Sequence, residues 1–561
     1  MPKRTIARIL TLVCTLLIAG AASAPSFAQS NNPWSTPIQV SETVRTSWFP
    51  DVAATPDGTV YFVWTTGVVV DAAQGVGADL LMYRELRNGK WSQQFDVANP
   101  YTGKSSYAIR NSIVANRDGR IHLLVRGPTD IDYTSTSFNQ TLSIQYWDEP
   151  RRINGSGLPY YTALNADPNG NIHALWNEIT VRDDIENCPC YDIFYRKKEA
   201  GSTAWTIPQN LSESKGTAIK PQVATDNENR VHVVWSEDPP PIDLAPGGIK
   251  RGNEAAESDG PKPGAVYYRR SIDGGENWED VVRFDLPQIN TRPTPTPVTD
   301  SSPITTQAKE LRTAQITLGL YRNTNPIVVY RSNADDQAIY FQTSRDGGAT
   351  WGKPQAIQSV RARPYDDTPF DAYSMVTDGA GNVHLFMVGI LGSEARPREL
   401  AGESLRGIQP RLLHLTWNGS GWSQPTVVVT DERYPEWPRA VVVGSTIHLT
   451  WFTRNAEDRY SSENSQYKVW YSRRQLSAPA VVLPPLFTPT PNIPPTATPA
   501  PPTPIPTPTL TAQERNAPQL QNVRPSWELE GYQVLALSAL PVLLALGGFA
   551  GFVIWSRRRT G

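Results

Sequence analysis

"ADPNGNIHALW", Ala166–Trp176, reads as the end of one strand, a tight polar turn and a second strand, and near copies of it run along the chain. They are "ATPDGTVYFVW" from Ala54, "ANRDGRIHLLV" from Ala115, "ATDNENRVHVVW" from Ala224, "VTDGAGNVHLFM" from Val376 and "VVGSTIHLTW" from Val442. A divergent seventh copy is "ITLGLYRNTNPIVVY" from Ile316. β-Branched and aromatic residues flank Gly, Asn and Asp in these copies, which is the chemistry of a hairpin.

Each hairpin is followed by a third apolar run: "LLMYREL", "LSIQYWD", "DIFYRKK", "AVYYRRS", "AIYFQTS", "RLLHLTW" and "KVWYSRR". A fourth run then opens on tryptophan: "WSQQFDV", "WTIPQNL", "WEDVVRF", "WGKPQAI" and "WSQPTVV", with Trp147 as a compressed equivalent in the second unit. Four antiparallel strands repeated every 50 to 60 residues or so describe the blades of a propeller. The expected fold is therefore all-β, a β-propeller of four-stranded antiparallel blades. Seven blades are expected, or six if the compressed second unit or the divergent fifth is not a blade. The last unit lacks its tryptophan run, and "WSTPIQV", Trp34–Val40, supplies the missing strand from the other end. That closure leaves no open sheet edge in the ring.

Composition agrees with strands and turns. The chain has 561 residues with 17 Trp, 22 Tyr, 39 Gly and 50 Pro but only 4 Met, and its net charge of −2 gives no basic surface for nucleic acid. The ends read differently from the body. Residues 1–28 have the basic start, apolar run and small residues of a secretory leader, with cleavage expected after Ala28. The propeller is expected over 29–478. Residues 479–532 begin with a segment, Pro479–Leu510, holding thirteen prolines. Such a segment favours an extended stalk of about 3.1 Å per residue, whose threonines suit sugar attachment. Residues 533–555 include the 22-residue uncharged run Val534–Trp555, expected to span a membrane, and the arginines of 556–561 place the tail in the cytoplasm. The expected location is thus a cell membrane, crossed once, with the propeller outside. Cys188 and Cys190, in "CPC", suit a loop staple or free thiols better than a metal site, and no cofactor or metal is implied.

Two turns between third and fourth strands carry a stricter pattern, "SIDGGENW" at Ser271–Trp278 and "SRDGGATW" at Ser344–Trp351. The second matches Ser/Thr-x-Asp-x-Gly-x-Thr-Trp throughout. The first departs at Asn277. On these motifs the array, over about residues 34–478, resembles the sialidase-like Asp-box (BNR-repeat) propeller proteins. The expected role of Ser271, Asp273, Gly275, Trp278, Ser344, Asp346, Gly348 and Trp351 is structural. Glycines permit the turn, the carboxylate collects its own backbone N–H groups, and the tryptophan plugs between blades.

Strand alternation puts these turns and the first-to-second turns on one face. The other face carries the longer connections: Thr65–Ala78, Gly127–Thr141, Asp238–Gly264, Pro287–Glu310 and Gly389–Gln409. Long loops collect on functional faces. There, Asp51, Arg110, Tyr161, Lys220, Arg312, Asp371 and Arg439 enter the innermost strands, and Glu178, Glu237 and Asp238 end the second strands. The ligand-binding candidates are Arg110, Tyr161, Glu178, Lys220, Glu237, Arg312, Asp371 and Arg439, since forked guanidinium groups beside carboxylates suit anionic or polyhydroxylated ligands. The resemblance implies an exo-glycosidase of sialidase type, with Arg110 and Arg312 as clamps and Lys220 as a third cation. The family's Arg-Ile-Pro motif has no arginine in the matching "SWFPDVA", and no Tyr–Glu nucleophilic pair is assigned. The residues themselves point to an extracellular propeller binding a glycan or protein ligand through its long-loop face. Five histidines, His122, His173, His232, His384 and His448, share one repeat position, which implies blade packing.

Overall fold

The computed structural model describes residues 32–41, 46–103, 110–155, 157–180, 191–214, 217–238, 265–284, 315–331, 337–363, 372–405, 407–429, 434–454, 467–483 and 485–487. The strands form seven separate antiparallel sheets, each one blade. Blade 1 holds Ser47–Ala54, Val60–Asp71, Val76–Arg87 and Phe95–Gly103, with the short Lys90–Trp91 beside them. Blade 2 holds Asn111–Ala115, Arg120–Arg126, Ile131–Ser137 and Arg151–Arg152. Blade 3 holds Pro159–Ala166, Ile172–Ile179, Tyr191–Lys198 and Gln209–Asn210. Blade 4 holds Thr217–Thr225, Val231–Asp238, Ala265–Ser271 and Val282–Phe284. Blade 5 holds Ile316–Tyr321, Asn325–Arg331, Ile339–Thr343 and Gln355–Ala356. Blade 6 holds Ser374–Thr377, Val383–Leu391, Arg411–Trp417 and Thr426–Val429, plus Val360–Ala362 on its second strand. Blade 7 holds Tyr434–Val443, Thr446–Arg454 and Lys468–Gln475, completed by Ile38–Gln39 from the start of the ring. First strands touch first strands from blade to blade, and that of blade 7 touches that of blade 1, so the ring is closed.

The tryptophan pattern has a geometric basis. Trp34, Trp91, Trp147, Trp205, Trp278, Trp351 and Trp422 each lie four residues ahead of an outer strand, which starts at Ile38, Phe95, Arg151, Gln209, Val282, Gln355 or Thr426. Each ring meets the third-strand aromatic of the preceding blade edge-on. The partners, in the same order, are His414, Tyr471, Tyr83, Tyr133, Tyr195, Tyr268 and Phe341, at 4.8–5.8 Å between centroids and 72–87° between planes. Edge-to-face pairs contribute about 0.5–1.5 kcal/mol each beyond the area they bury. Trp147 thus occupies the expected compressed position.

The repeated histidine sits behind those aromatics. His173 Nε2 faces Asp167 Oδ2 (3.2 Å) and its Nδ1 faces Tyr195 Oη (2.8 Å), both rings fully buried. Blades 2 and 4 repeat this with Asp118–His122–Tyr133 and Asp226–His232–Tyr268. A carboxylate only accepts, so Nε2 carries the proton and the tyrosine hydroxyl donates to Nδ1. Burial pushes all three imidazoles down, more than the aspartates pull them up, so they stay neutral. Blade 5 replaces both partners at once: Ile327 stands at the histidine position and Phe341, which has no hydroxyl, at the tyrosine position. The motif is a repeated packing device.

The two Ser-x-Asp-x-Gly turns dock on this layer. A Cβ added at Gly275 would fall 1.9 Å from Tyr195 Oη, and one at Gly348 would fall 1.9 Å from Tyr268 Oη. Both glycines also have φ near +90° (+91° and +89°). Gly58, in the first turn of blade 1, has φ +85° but nothing within 4 Å of an added Cβ. Gly58→Ala is expected to cost about 1 kcal/mol of backbone strain. Gly348→Ala adds overpacking of about 1–3 kcal/mol. Thermal melts of the two variants test this, and equal losses would defeat the docking explanation.

Blade 2 departs from the sequence expectation. Its third strand is Ile131–Ser137, whereas "LSIQYWD" supplies a 3₁₀ turn at Ile144–Tyr146. Gly127 N–H donates to Asp130 O (2.7 Å), closing a tight turn within the proposed Gly127–Thr141 insertion. The longer connection of this blade therefore lies between third and outer strands, on the opposite face. The pattern misled because "IDYTSTS" is polar and hydroxyl-rich, its Ser135 and Thr134 being held by Asp148. The Thr65–Ala78 insertion is a prolonged hairpin, with Val69 pairing Gly77. Gly389–Gln409 contains the helix Gly392–Ala401, fastened by Arg361–Glu399 and Arg411–Glu394 ion pairs, each at 2.7 Å.

After Gln475 the chain runs along the short-turn face. Leu476 N–H donates to Ser445 O and Val481 N–H to Gly444 O, both at 2.7 Å, on blade 7. Phe487 N–H then donates to Arg117 O (2.8 Å) at the first turn of blade 2. Among the described residues no helix is long and apolar enough to cross a membrane. The leader, most of the stalk, Val534–Trp555 and both Cys188 and Cys190 lie outside the described residues.

Candidate functional site at the channel mouth

Four of the innermost strands begin with a β-bulge on the long-loop face. The register shifts between Trp48 and Asp51, Pro159 and Thr162, Ile219 and Gln222, and Glu436 and Arg439. In three of them a bulky residue with positive φ precedes proline: Phe49 (+49°), Lys220 (+56°) and Trp437 (+53°). Non-glycine residues held there cost about 1–3 kcal/mol each, and such strain concentrates at functional sites. A bulge also re-aims side chains away from the regular alternation.

The result at blades 7, 1, 2 and 3 is an aromatic and charged mouth. The Arg110 guanidinium lies over Tyr160 (4.2 Å), Phe49 (4.5 Å), Tyr161 (4.8 Å) and Trp437 (5.8 Å). Arg110 is only 4% exposed. It is a caged cation, not an open clamp. Trp437 stacks nearly parallel to Tyr161 (9°) at 6.5 Å. Arg439 lies over the Trp437 ring at 4.5 Å, and its Nη1 donates to Pro438 O (3.0 Å). Its Nε is 3.9 Å from Asp51 Oδ1, too long for a hydrogen bond, and the two side chains are 18% and 17% exposed. Asp51 accepts from Val52 N–H and, across the blade boundary, from Ile113 N–H, both at 3.0 Å.

Burial pushes the Asp51 carboxyl up to about 6, against the downward pull of Arg439 and the two N–H donors. Because the folded state holds this proton more tightly than the unfolded chain does, its contribution to stability is full below about pH 3.8 and is lost as pH rises through 6. The change is about 3 kcal/mol. Asp132, also raised by burial, adds to the same slope. Subtracting the unfolding profile of Asp51→Asn from that of the parent isolates Asp51. A flat difference between pH 4 and 6.5 would refute this assignment.

The sequence candidates divide clearly. The structure gathers Arg110, Tyr161 and Arg439 with Asp51. Glu178 is committed elsewhere: Trp176 Nε1–H (2.9 Å) and Gly155 N–H (3.2 Å) both donate to its Oε2. Glu237 accepts from Ser214 Oγ–H. Lys220 sits on the bulge of blade 4. Arg312 and Asp371 lie outside the described residues. Sequence reasoning missed Phe49, Tyr160 and Trp437. The recurring "FPD", "KPQ" and "WPR" at strand entry was the available signal. It also missed Glu436, fully buried between Arg363 (2.9 Å) and Arg454 (2.8 Å).

The two Ser-x-Asp-x-Gly turns are self-contained. Ser344 Oγ–H (2.7 Å), Thr350 N–H (2.9 Å) and Thr350 Oγ1–H (2.5 Å) all donate to the Asp346 carboxylate. In the other turn Asn277 Nδ2–H replaces the threonine hydroxyl, donating to Asp273 Oδ2 at 2.8 Å, so the departure at Asn277 keeps the bond. What little burial there is pushes both carboxyls up, but these bonds outweigh it and hold each at about 2. Among the described residues no group of His, Cys, Asp and Glu is arranged to hold a metal.

No protein-family model matches the chain, and no curated protein matches it in sequence. Solved structures similar in shape include the NanB sialidase of Streptococcus pneumoniae, at 12% identity and TM-score 0.40, covering 79% of this chain and 71% of that one. An ulvan lyase from a new polysaccharide lyase family is similar at 10% identity and TM-score 0.45, covering 76% and 94%. A protein of unknown function from Dyadobacter fermentans is similar at 11% identity and TM-score 0.40, covering 78% and 99%. The seven-blade architecture rests on the strand pairing of this chain itself.

Proposed function

We propose that this protein is a membrane-anchored extracellular propeller of the Asp-box type that binds a glycan at the mouth of its channel on the long-loop face. One observation carries the reading: Trp437, strained into the left-handed region, presents a half-buried ring beside the incompletely paired Arg439 and Asp51. An apolar ring with a few convergent polar groups is the usual make-up of a small-ligand site. Phe487, the last described residue, is bonded to Arg117 on the short-turn face, which supports a mouth that faces away from the side where the proline-rich segment begins. The leader-like residues 1–28 and the apolar run Val534–Trp555 support export and anchoring. The test is a glycan array on the full-length protein, repeated with Trp437→Ala. Binding that falls at least about tenfold with an unchanged melting temperature supports the site. An array without hits, or hits indifferent to Trp437→Ala, would sink it.

A second reading, an exo-glycosidase of sialidase type, draws on the raised Asp51 carboxyl, since a carboxyl titrating near neutrality suits a general acid. Against it, Arg110 is enclosed by rings rather than open to a substrate carboxylate. Turnover of a fluorogenic sialoside, abolished by Asp51→Asn, would favour the enzyme over the binding protein.

A further inference from the structure

We infer that the mouth selects a neutral pyranose, held by Arg439 and Asp51 on neighbouring hydroxyls beside the half-buried Trp437 ring. The inference rests on the glycan-binding reading above and names the sugar class.

The argument is one of donors, acceptors and charge. Among the described residues the partners of Arg439 are the Pro438 carbonyl, the Trp437 ring and Asp51 at 3.9 Å, which leaves guanidinium N–H groups without an acceptor. Each Asp51 oxygen accepts one backbone N–H, from Val52 or Ile113, and retains a further lone pair. The pair is therefore a donor and an acceptor side by side, both partly exposed, with the ring that Arg439 covers forming the adjoining wall. A hydroxyl both donates and accepts. Two adjacent hydroxyls can donate to Asp51 and accept from Arg439 at once.

A sugar carboxylate fits this arrangement badly. It can accept from Arg439 but has nothing to donate to Asp51, and it would sit within a few ångströms of a like charge. Among the described residues the two cations packed against Tyr160, Arg110 and Arg126, do not compensate, Arg126 being 6% exposed with its Nε donating to Pro159 O (3.1 Å). Arg110 is spent within four aromatic rings and is nearly inaccessible. With Arg439 and Asp51 cancelling, this pair, the described and partly exposed charges beside Trp437, presents no net charge to a ligand. Sites built to hydrogen-bond a hydroxyl discriminate strongly against analogues that cannot complete the bonds.

The experiment titrates the full-length protein in detergent at pH 7.5 with two sets of oligosaccharides. One set is neutral, of glucose, galactose or mannose. The other ends in glucuronate or sialic acid. Neutral members are expected to bind at least about tenfold more tightly than acidic ones. Asp51→Asn removes the negative charge and is expected to narrow or reverse that preference. Arg439→Lys loses the planar fork and is expected to weaken neutral binding about tenfold. Melting temperatures of both variants are recorded, and the preference of the parent protein is decisive even if a variant does not fold. Tighter binding of acidic members by the parent overturns the sugar class and leaves glycan binding intact. Absence of binding to either set overturns the glycan reading itself.

Discussion

Glu436→Ala is expected to cost about 3–5 kcal/mol of stability, a large part of the 5–15 kcal/mol that usually holds a domain together. Glu436 is fully buried, with Oε1 accepting from Arg363 Nη1 (2.9 Å) and Arg454 Nε (2.8 Å), and Oε2 from Arg363 Nη2 (3.2 Å). Both arginine side chains are 2% exposed. Alanine would leave two guanidinium charges facing each other away from water. Glu436→Gln keeps the volume and part of the hydrogen bonding but not the charge, and is expected to fall between parent and alanine. The triad also sits directly before Trp437, joining the strand Val360–Ala362 of blade 6 to two strands of blade 7. Loss of stability should therefore come with loss of ligand binding. Denaturant unfolding of the three proteins checks the order. An alanine variant as stable as the parent would show that the charges find other counter-ions.

Trp34→Ala is expected to cost about 3–5 kcal/mol, the range for emptying a buried tryptophan site. Trp34 is 5% exposed and packs at the junction of blades 6 and 7, edge-on to Phe386 (5.7 Å) and His414 (5.4 Å). It anchors the N-terminal segment whose Ile38 and Gln39 pair with Tyr471 and Trp470. Without that anchor the edge of Lys468–Gln475 opens, and an unpaired edge invites association with other chains. The indole nitrogen of Trp34 has no hydrogen-bond partner among the described residues. Trp34→Phe should consequently cost well under half as much as alanine. Ile38→Ala is the control, since Ile38 is 46% exposed and should cost little. Calorimetry ranks the three, and light scattering detects association. A Trp34→Ala protein that melts like Ile38→Ala would mean that ring closure depends on the strand alone.

The blades were legible because they are built from local patterns. The turn chemistry at Asp167–Gly170, the alternation of Ile172–Trp176 and the tryptophan four residues before each outer strand recur within short windows. Even the closing strand could be read, since Trp34–Val40 completes a unit that lacks its own. Blade 2 was the exception. Its third strand, "IDYTSTS", is held by hydroxyl bonds to Asp148 and Tyr146, and so carries too few apolar residues to register as a strand. In the "SIDGGENW" and "SRDGGATW" turns the second glycines make room for the hydroxyls of Tyr195 and Tyr268, a contact that the motif alone does not reveal.

The site was legible only as a list. Sequence order says that Asp51, Arg110, Tyr161 and Arg439 enter innermost strands, and nothing more. Whether a charged side chain is open, caged or spent depends on neighbours that are remote along the chain. Arg110 is occupied because bulges in blades 1, 3 and 7 turn Phe49, Tyr160, Tyr161 and Trp437 onto it. Glu178 is occupied by Trp176 and Gly155. Arg439 stays available because Asp51 is held 3.9 Å away by N–H groups of two blades. By itself, then, the sequence determined the blade and its closure and narrowed the count to seven or six, because hydrogen-bonded ladders and aromatic plugs follow from short-range periodicity, while the strand pairing fixed it at seven. Only the tertiary structure decided which cation and which carboxylate stand side by side and partly exposed, because that depends on the ring bringing residues hundreds of positions apart within a few ångströms.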